Sequence, residues 1–219
     1  TCELPRALAA LGRRGCARVL LTGSVFEGGE GAGSEDLPAF SPYGLSKEMT
    51  ASAFRYFVAR AGMRLGKFVI PNPFGPFEEP RFTAYLVRTW AGGETARVST
   101  PDYVRDNIHV DLLAKAYADF AASLPEAAGF DAFYPSGYVE TQGRFAERFA
   151  AEMRPRLGLE CGLDLALQTE FPEPRMRVNT DPLNGAAMGW SEASAWDAIA
   201  DYYKPQLSQY SAGRALTNG

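Results

Sequence analysis

The chain has 219 residues, 46% of them apolar and 22% charged, with a formal charge of −4 and a pI near 5.2. That acidic balance argues against a nucleic-acid platform, whose phosphate contacts need clustered Lys and Arg. No apolar run approaches the roughly 20 residues that span a bilayer, no signal-peptide pattern opens the chain, and Cys2, Cys16 and Cys161 are too few and scattered for a disulfide framework or a metal site. A cytoplasmic protein of one elaborated domain or two small ones is expected.

Leu4 to Arg14 places apolar residues at helical spacing and ends near Gly12 and Gly15, which predicts a helix packed on a sheet. Arg18 to Thr22, with Val19-Leu20-Leu21 continuous, reads as a buried strand. The cluster Gly28-Gly29-Glu30-Gly31-Ala32-Gly33 follows it but runs into Ser34-Glu35-Asp36-Leu37-Pro38. Phosphates would meet carboxylates there and no helix follows directly, so this segment reads as a mobile loop rather than a dinucleotide fingerprint. Leu37 to Pro42 is a loop that delivers Tyr43, and Gly44 to Ala61 is helical, with Met49, Ala53, Phe54, Phe57 and Val58 as a core-packing face. Lys67 to Ile70 is a short buried strand. Pro71, Pro73, Pro76 and Pro80 then predict an irregular segment, because proline withholds a donor and fixes φ.

A helix from Phe82 to Ala91, a short strand around Ala96 to Ser99 and a helix from Val110 to Ala122 come next. Phe130 to Tyr134 reads as another sheet strand, closed by Pro135-Ser136-Gly137. Thr141 caps an amphipathic helix reaching about Arg156. Leu163 to Gln168 is a candidate strand, and Ser191 starts a last helix that carries Trp196, Ile199 and Tyr203 inward. Beyond Pro205 the small polar residues predict a flexible tail. Strands with intervening helices, then a smaller mixed lobe, predict an α/β fold.

The chemistry-bearing stretch is Ser41-Pro42-Tyr43-Gly44-Leu45-Ser46-Lys47. Residues at i and i+4 share a helix face. Tyrosine alone titrates near pH ~10, and a neighbouring ammonium stabilises the phenolate, bringing it towards the range of an acid/base catalyst. A hydroxyl from Thr22 or Ser24 can then bind the oxygen on which Tyr43 acts; the alternative for either is a local backbone bond at a strand end.

Taken in order, this hydroxyl, Tyr-x-x-x-Lys, Asn72-Pro73-Phe74-Gly75-Pro76 and Arg105-Asp106-Asn107-Ile108-His109-Val110-Asp111 resemble the extended short-chain dehydrogenase/reductase family, the NAD-dependent epimerase/dehydratases, over about Arg18 to Trp190. The resemblance implies an incomplete Rossmann-like doubly wound parallel sheet with a smaller mixed C-terminal substrate lobe. It assigns 1–75 and 105–137 to the Rossmann-like domain with its catalytic residues, 76–104 and 138–204 to the substrate lobe, and 205–219 to the tail. The family opens with a strand, a Gly-x-x-Gly-x-x-Gly turn and a helix that have no counterpart here. At about 30 residues per βαβ unit, a C-terminal portion with roughly a hundred residues before it is expected.

By the same resemblance Tyr43 is the general acid/base, Lys47 lowers its pKa and holds the nicotinamide ribose, and Thr22, four residues before Phe26, is the catalytic hydroxyl. Tyr43, Lys47 and Pro71 would bind NAD or NADP. Ser24, Asn72, Arg81 and Arg105 would meet a sugar or nucleotide-sugar substrate, the arginines through a fork that suits phosphate; the alternative for either arginine is a surface ion pair. His109, the only histidine, would start a helix and pack behind the site.

Family members that dehydrate carry an Asp-Glu pair after the catalytic Thr, and Gly23-Ser24 stand there instead, which leaves epimerisation or ketone/alcohol oxidoreduction. Phe26-Glu27 in place of Tyr-Gly, Val69 in place of a common arginine and Leu112 in place of a common second acid bear on nucleotide-sugar specificity. The implied protein is an NAD(P)-dependent epimerase or oxidoreductase of a nucleotide-linked or related sugar, working by Tyr-assisted proton transfer. A non-catalytic binding or scaffold protein that keeps the fold is the alternative. No metal, nucleic acid or membrane enters this reading, and the candidate assembly is a homodimer through the Met49 to Phe57 helix.

Overall fold

A computed structural model describes residues 3–33, 36–78 and 81–212, with 211 and 212 described by backbone alone. The elements begin with α1 Glu3–Arg13, β1 Arg18–Ser24, α2 Pro42–Arg60, β2 Arg64–Ile70, β3 Asn72–Phe74, α3 Phe82–Ala91, β4 Ala96–Val98 and β5 Val104–His109. They continue with α4 Val110–Ser123, β6 Gly129–Phe133, β7 Pro135–Ser136, β8 Tyr138–Thr141, α5 Gln142–Leu157 and β9 Leu163–Leu165. Last come β10 Met176–Arg177, β11 Asp181–Pro182, α6 Glu192–Tyr203, a 3₁₀ turn at Lys204–Gln206 and α7 Leu207–Ala212. These gather into two compact units: Thr1–Pro71 with Leu113–Ser136 and Met176–Leu183, and Asn72–Leu112 with Gly137–Arg175 and Asn184–Gly219. Among the described residues no helix is long and apolar enough to cross a membrane.

The first unit is an α/β layer structure on a parallel sheet of order β1-β2-β6, with Arg18 opposite Arg64 and Arg64 opposite Gly129. Parallel neighbours need a crossover, and α2 supplies the one between β1 and β2. Side chains alternate across β1. Val19 and Leu21 pack with Phe54 and Phe57 against a core of Leu8, Val58, Met63 and Leu65. On β2, Phe68 points to the other face, where it meets Tyr117 and Phe120 of α4 and Phe133 of β6. Gly66 makes room there, since a Cβ on it would lie 2.6 Å from the Leu124 side chain. β7 and β11 form a separate parallel pair.

In the second unit β3 and β5 pair in parallel and β5 and β8 antiparallel, while β4 and β9 form their own parallel pair. Its core gathers Phe74, Leu86, Val87, Trp90, Phe145, Phe149, Met153, Trp196, Ile199 and Tyr203. Thr141 caps α5 by accepting from Arg144 N, and the helix stops at Gly158, whose φ of 68° is the left-handed conformation that glycine adopts freely. Ser191 caps α6 and turns Trp196, Ile199 and Tyr203 inward, as the sequence predicts.

The compact units have limits of their own beside the lobes 1–75/105–137 and 76–104/138–204 that the resemblance implies: β3 and β5 pair with each other, so residues 72–75, 105–112 and 137 lie in the second unit, and 176–183 lie in the first, where β11 pairs with β7. Several expectations need correction. The proline-rich stretch is not wholly irregular, since it opens with β3. The tail expected over 205–219 is helical through Ala212; Pro205 sits in the first turn, where its missing N–H costs little, and Leu207 and Tyr210 pack on the unit's core. Met49 is 65% exposed rather than in the core, and shares an apolar groove with Leu4, Leu45 and Phe54. Cys2, Ser34, Glu35, Glu79, Pro80 and residues 213–219 lie outside the described residues.

Candidate active site

The end of β1 and the start of α2 meet through backbone contact. Ser41 caps α2 by accepting from Gly44 N at 3.1 Å, and Pro42 occupies the first turn, where no amide donor is required. Gly44 is buried, and a Cβ on it would lie 2.2 Å from the Phe26 carbonyl oxygen, so the helix rests directly on the chain just beyond β1. Tyr43, beside it, is 57% exposed, and among the described residues its phenol has no hydrogen-bond partner. One turn on, Lys47 reaches back and donates from Nζ to the Thr22 carbonyl at 2.5 Å. The Thr22 hydroxyl meets the Tyr117 hydroxyl of α4 at 2.9 Å. Thr22 and Lys47 are thus brought together, and Tyr117 is a neighbour that sequence reasoning did not find.

Ser24 behaves as a turn residue. Its hydroxyl accepts from Phe26 N at 3.2 Å, and its own N–H donates to Glu27 Oε1 at 2.7 Å. Glu27 is buried and pairs with Lys67 Nζ at 2.5 Å, and Glu30 takes the same ammonium at 2.6 Å. Burial disfavours the charge on Lys67, but the bonds to Glu27 and Glu30 outweigh it and raise its pKa above the ordinary lysine value. The three groups edge a polar cavity of about 230 Å³, also lined by Glu48, Arg55 and Tyr134.

The glycine-rich loop is tied down where it is described. Arg177, 1% exposed, donates to the carbonyls of Val25, Glu27 and Pro38, Ala32 and Val178 exchange backbone bonds, and Gly29 N donates to Leu37 O. Asn179 donates to the Val69 and Pro135 carbonyls. The sequence signals were a Glu at position 27 and a lysine within an apolar strand, each uninformative until the fold pairs them.

Pro71 is buried at the end of β2 in the first unit; Asn72, Arg81 and Arg105 belong to the second. Asn72 is half-buried at the start of β3, and Arg81 is exposed where α3 begins. Arg105 is buried and bridged to Glu173 at 2.8 Å, with further bonds to the carbonyls of Val104, Pro174 and Arg175 and the Tyr103 ring beneath it. Burial lowers its pKa, with Glu173 acting in the opposite sense. His109 ends β5 between the rings of Phe74 and Trp190; its Nδ1 accepts from Asp111 N, and burial pushes its pKa down, so it stands as a packed neutral imidazole.

Glu78 was not anticipated. The hydroxyls of Thr83 and Tyr203 donate to its carboxylate, and burial pushes its pKa up to about 7 against the opposing effects of Tyr203, the Gly75 backbone and Arg81. A carboxyl whose folded pKa exceeds its unfolded value contributes stability that is complete below the unfolded pKa and is lost as pH rises through about 7. Glu78→Gln cannot ionise, so its melting temperature is expected to gain several degrees on that of the unsubstituted protein between about pH 5 and about pH 8. Melting curves at the two pH values check this, and a constant difference would contradict it.

A family model described as "NAD dependent epimerase/dehydratase family" matches residues 5–128. No curated protein matches the sequence. Among solved structures the chain is similar to a UDP-N-acetylglucosamine 4-epimerase from Methanobrevibacter ruminantium M1 in complex with UDP-N-acetylmuramic acid, at 17% identity and a TM-score of 0.65, covering 90% of this chain and 66% of that one. It is similar to a UDP-glucose 4-epimerase from Thermus thermophilus in complex with NAD, at 19% identity and a TM-score of 0.59, covering 90% and 67%. A UDP-glucuronic acid 4-epimerase from Bacillus cereus, in complex with UDP-glucuronic acid and NAD, gives 14% identity and a TM-score of 0.66, covering 94% and 66%. The chain spans about two thirds of the length of these proteins, and at such identities the likeness is one of Rossmann-like α/β fold.

Proposed function

The chain belongs to the NAD dependent epimerase/dehydratase family, and on that premise we propose that it serves NAD(P)-dependent epimerisation or oxidoreduction of a nucleotide-linked or related sugar. One observation carries the reading: the Lys47 ammonium lies 2.5 Å from the Thr22 carbonyl, with exposed Tyr43 one helical turn earlier. Tyr43 takes the proton of a sugar hydroxyl as its carbon is oxidised and returns it in the reverse direction. Thr22 holds the reacting oxygen by its hydroxyl. Lys47 has three donors and uses one on Thr22, so two are left for the phenolate and a ribose hydroxyl, which fits the nicotinamide end of NAD. When bound, the nicotinamide supplies the hydride acceptor.

Pro71 is proposed to line the cofactor side, and Ser24, Asn72, Arg81 and Arg105 the substrate. For Arg105 an anionic substrate group has to compete with Glu173. The epimerase complexes described above support a nucleotide sugar as the substrate class. Exposed Leu45 and Met49 on α2 are the proposed contact between two copies. Calorimetric titration of the full polypeptide with NAD, then with UDP-glucose, tests the reading: micromolar NAD binding is expected. Silence would favour the non-catalytic alternative.

A further inference from the structure

We infer that Tyr117 is a positioning residue for this reaction, holding the Thr22 hydroxyl so that its proton faces the reacting sugar oxygen; the inference rests on the role just proposed for Thr22. The two hydroxyl oxygens are 2.9 Å apart, joining residues 95 positions apart in the chain. Tyr117 cannot shift freely. Its ring lies 4.8 Å from that of Phe68, which is fully buried and also packs against Phe120 and Phe133, themselves stacked at 5.5 Å. Phe68 is the strand partner of Thr22, so the register that sets Thr22 also sets the support of the phenol that reaches it. A phenol oxygen lies in its ring plane, and fixing the ring fixes the oxygen.

Thr22 is therefore held on two sides, its carbonyl by Lys47 from α2 and its hydroxyl by Tyr117 from α4. A β-branched side chain has few χ1 wells, and the bond to Tyr117 selects one of them. Proton inventory decides what this achieves. A threonine hydroxyl has one proton and two lone pairs, and a phenol is the stronger donor of the two. With Tyr117 donating to Thr22, the threonine proton is left for the substrate oxygen. If Thr22 donated to Tyr117 instead, it could only accept from the substrate. Mere mutual satisfaction of two part-buried hydroxyls would stabilise the fold but leave no trace in the chemical step.

A double-mutant cycle on the full polypeptide separates the roles, with UDP-glucose plus NAD as the probe and turnover read both as NADH absorbance and as epimerised UDP-sugar, because epimerisation returns the hydride and leaves no net NADH. Tyr117→Phe is expected to lower kcat by about tenfold or more with KM changed less than about twofold, and to add less than about twofold in a Thr22→Ala background. Thr22→Val, which keeps the shape and removes the same bond from the other side, replaces Thr22→Ala if that variant melts early. Independent, multiplicative losses in the cycle, or a change in KM alone, would overturn the inference while leaving the proposed function standing if Tyr43→Phe is inactive. Full activity of Tyr43→Phe, or neither NADH nor epimerised sugar from the unsubstituted protein, would overturn both.

Discussion

Tyr43→Phe is expected to lower turnover by roughly 10²–10⁴-fold with the melting temperature unchanged. Both halves of that expectation follow from where the phenol sits. It is exposed and has no partner among the described residues, so removing it leaves no buried donor or acceptor unsatisfied. The helix start is held by Ser41 and Gly44, which the substitution does not touch. A loss of activity with an intact fold therefore reports on proton transfer. Turnover equal to that of the unsubstituted protein would remove Tyr43 from the mechanism and with it the enzymatic reading.

Gly44→Ala is expected to reverse the usual sign of a helix substitution. Alanine is ordinarily favoured over glycine in a helix by about 1 kcal/mol. Here the new Cβ would lie 2.2 Å from the Phe26 carbonyl oxygen, a backbone atom that cannot move aside without shifting β1's end or the helix. A loss of roughly 2–4 kcal/mol is expected, together with impaired turnover, because the displaced helix carries Lys47 away from Thr22. Gly28→Ala is the internal control. The atoms nearest its Cβ all belong to the Glu48 carboxylate, which can swing away, so the cost is much smaller. Denaturant midpoints of the two variants make the comparison, and a Gly44→Ala protein as stable as the parent would show that the close approach is relaxed in solution.

Local rules located much of this molecule. Helical spacing placed α1, α2, α3, α4, α5 and α6 within a few residues, and Ser191 and Thr141 revealed two helix starts because a hydroxyl there satisfies an otherwise orphaned amide. β5 escaped notice because Arg105, Asp106 and Asn107 look like loop residues. Their burial is offset by bonds that no local pattern shows, such as the Asp106 carboxylate accepting from Gly137 N at 2.7 Å. Tyr-x-x-x-Lys was legible, since one helical turn carries the whole idea. Tyr117 was not, because only a sheet with α4 on one face brings it to Thr22, and nothing in the spacing announces that meeting. Glu27 and Lys67 are silent for the same reason: the pairing of Leu21 with Lys67 across β1 and β2 is what sets the ammonium beside the turn.

The buried guanidinium of Arg177 constrains the order in which the chain folds during synthesis. Its partner carbonyl at Val25 lies 152 positions upstream. During synthesis that carbonyl and those of Glu27 and Pro38 wait on water until the segment bearing Arg177 has left the ribosome, and loop closure over such a span is slow to form. The turn after β1 and the segment leading to α2 therefore cannot complete these bonds before residue 177 is made, and no N-terminal piece that stops short of it can reproduce them.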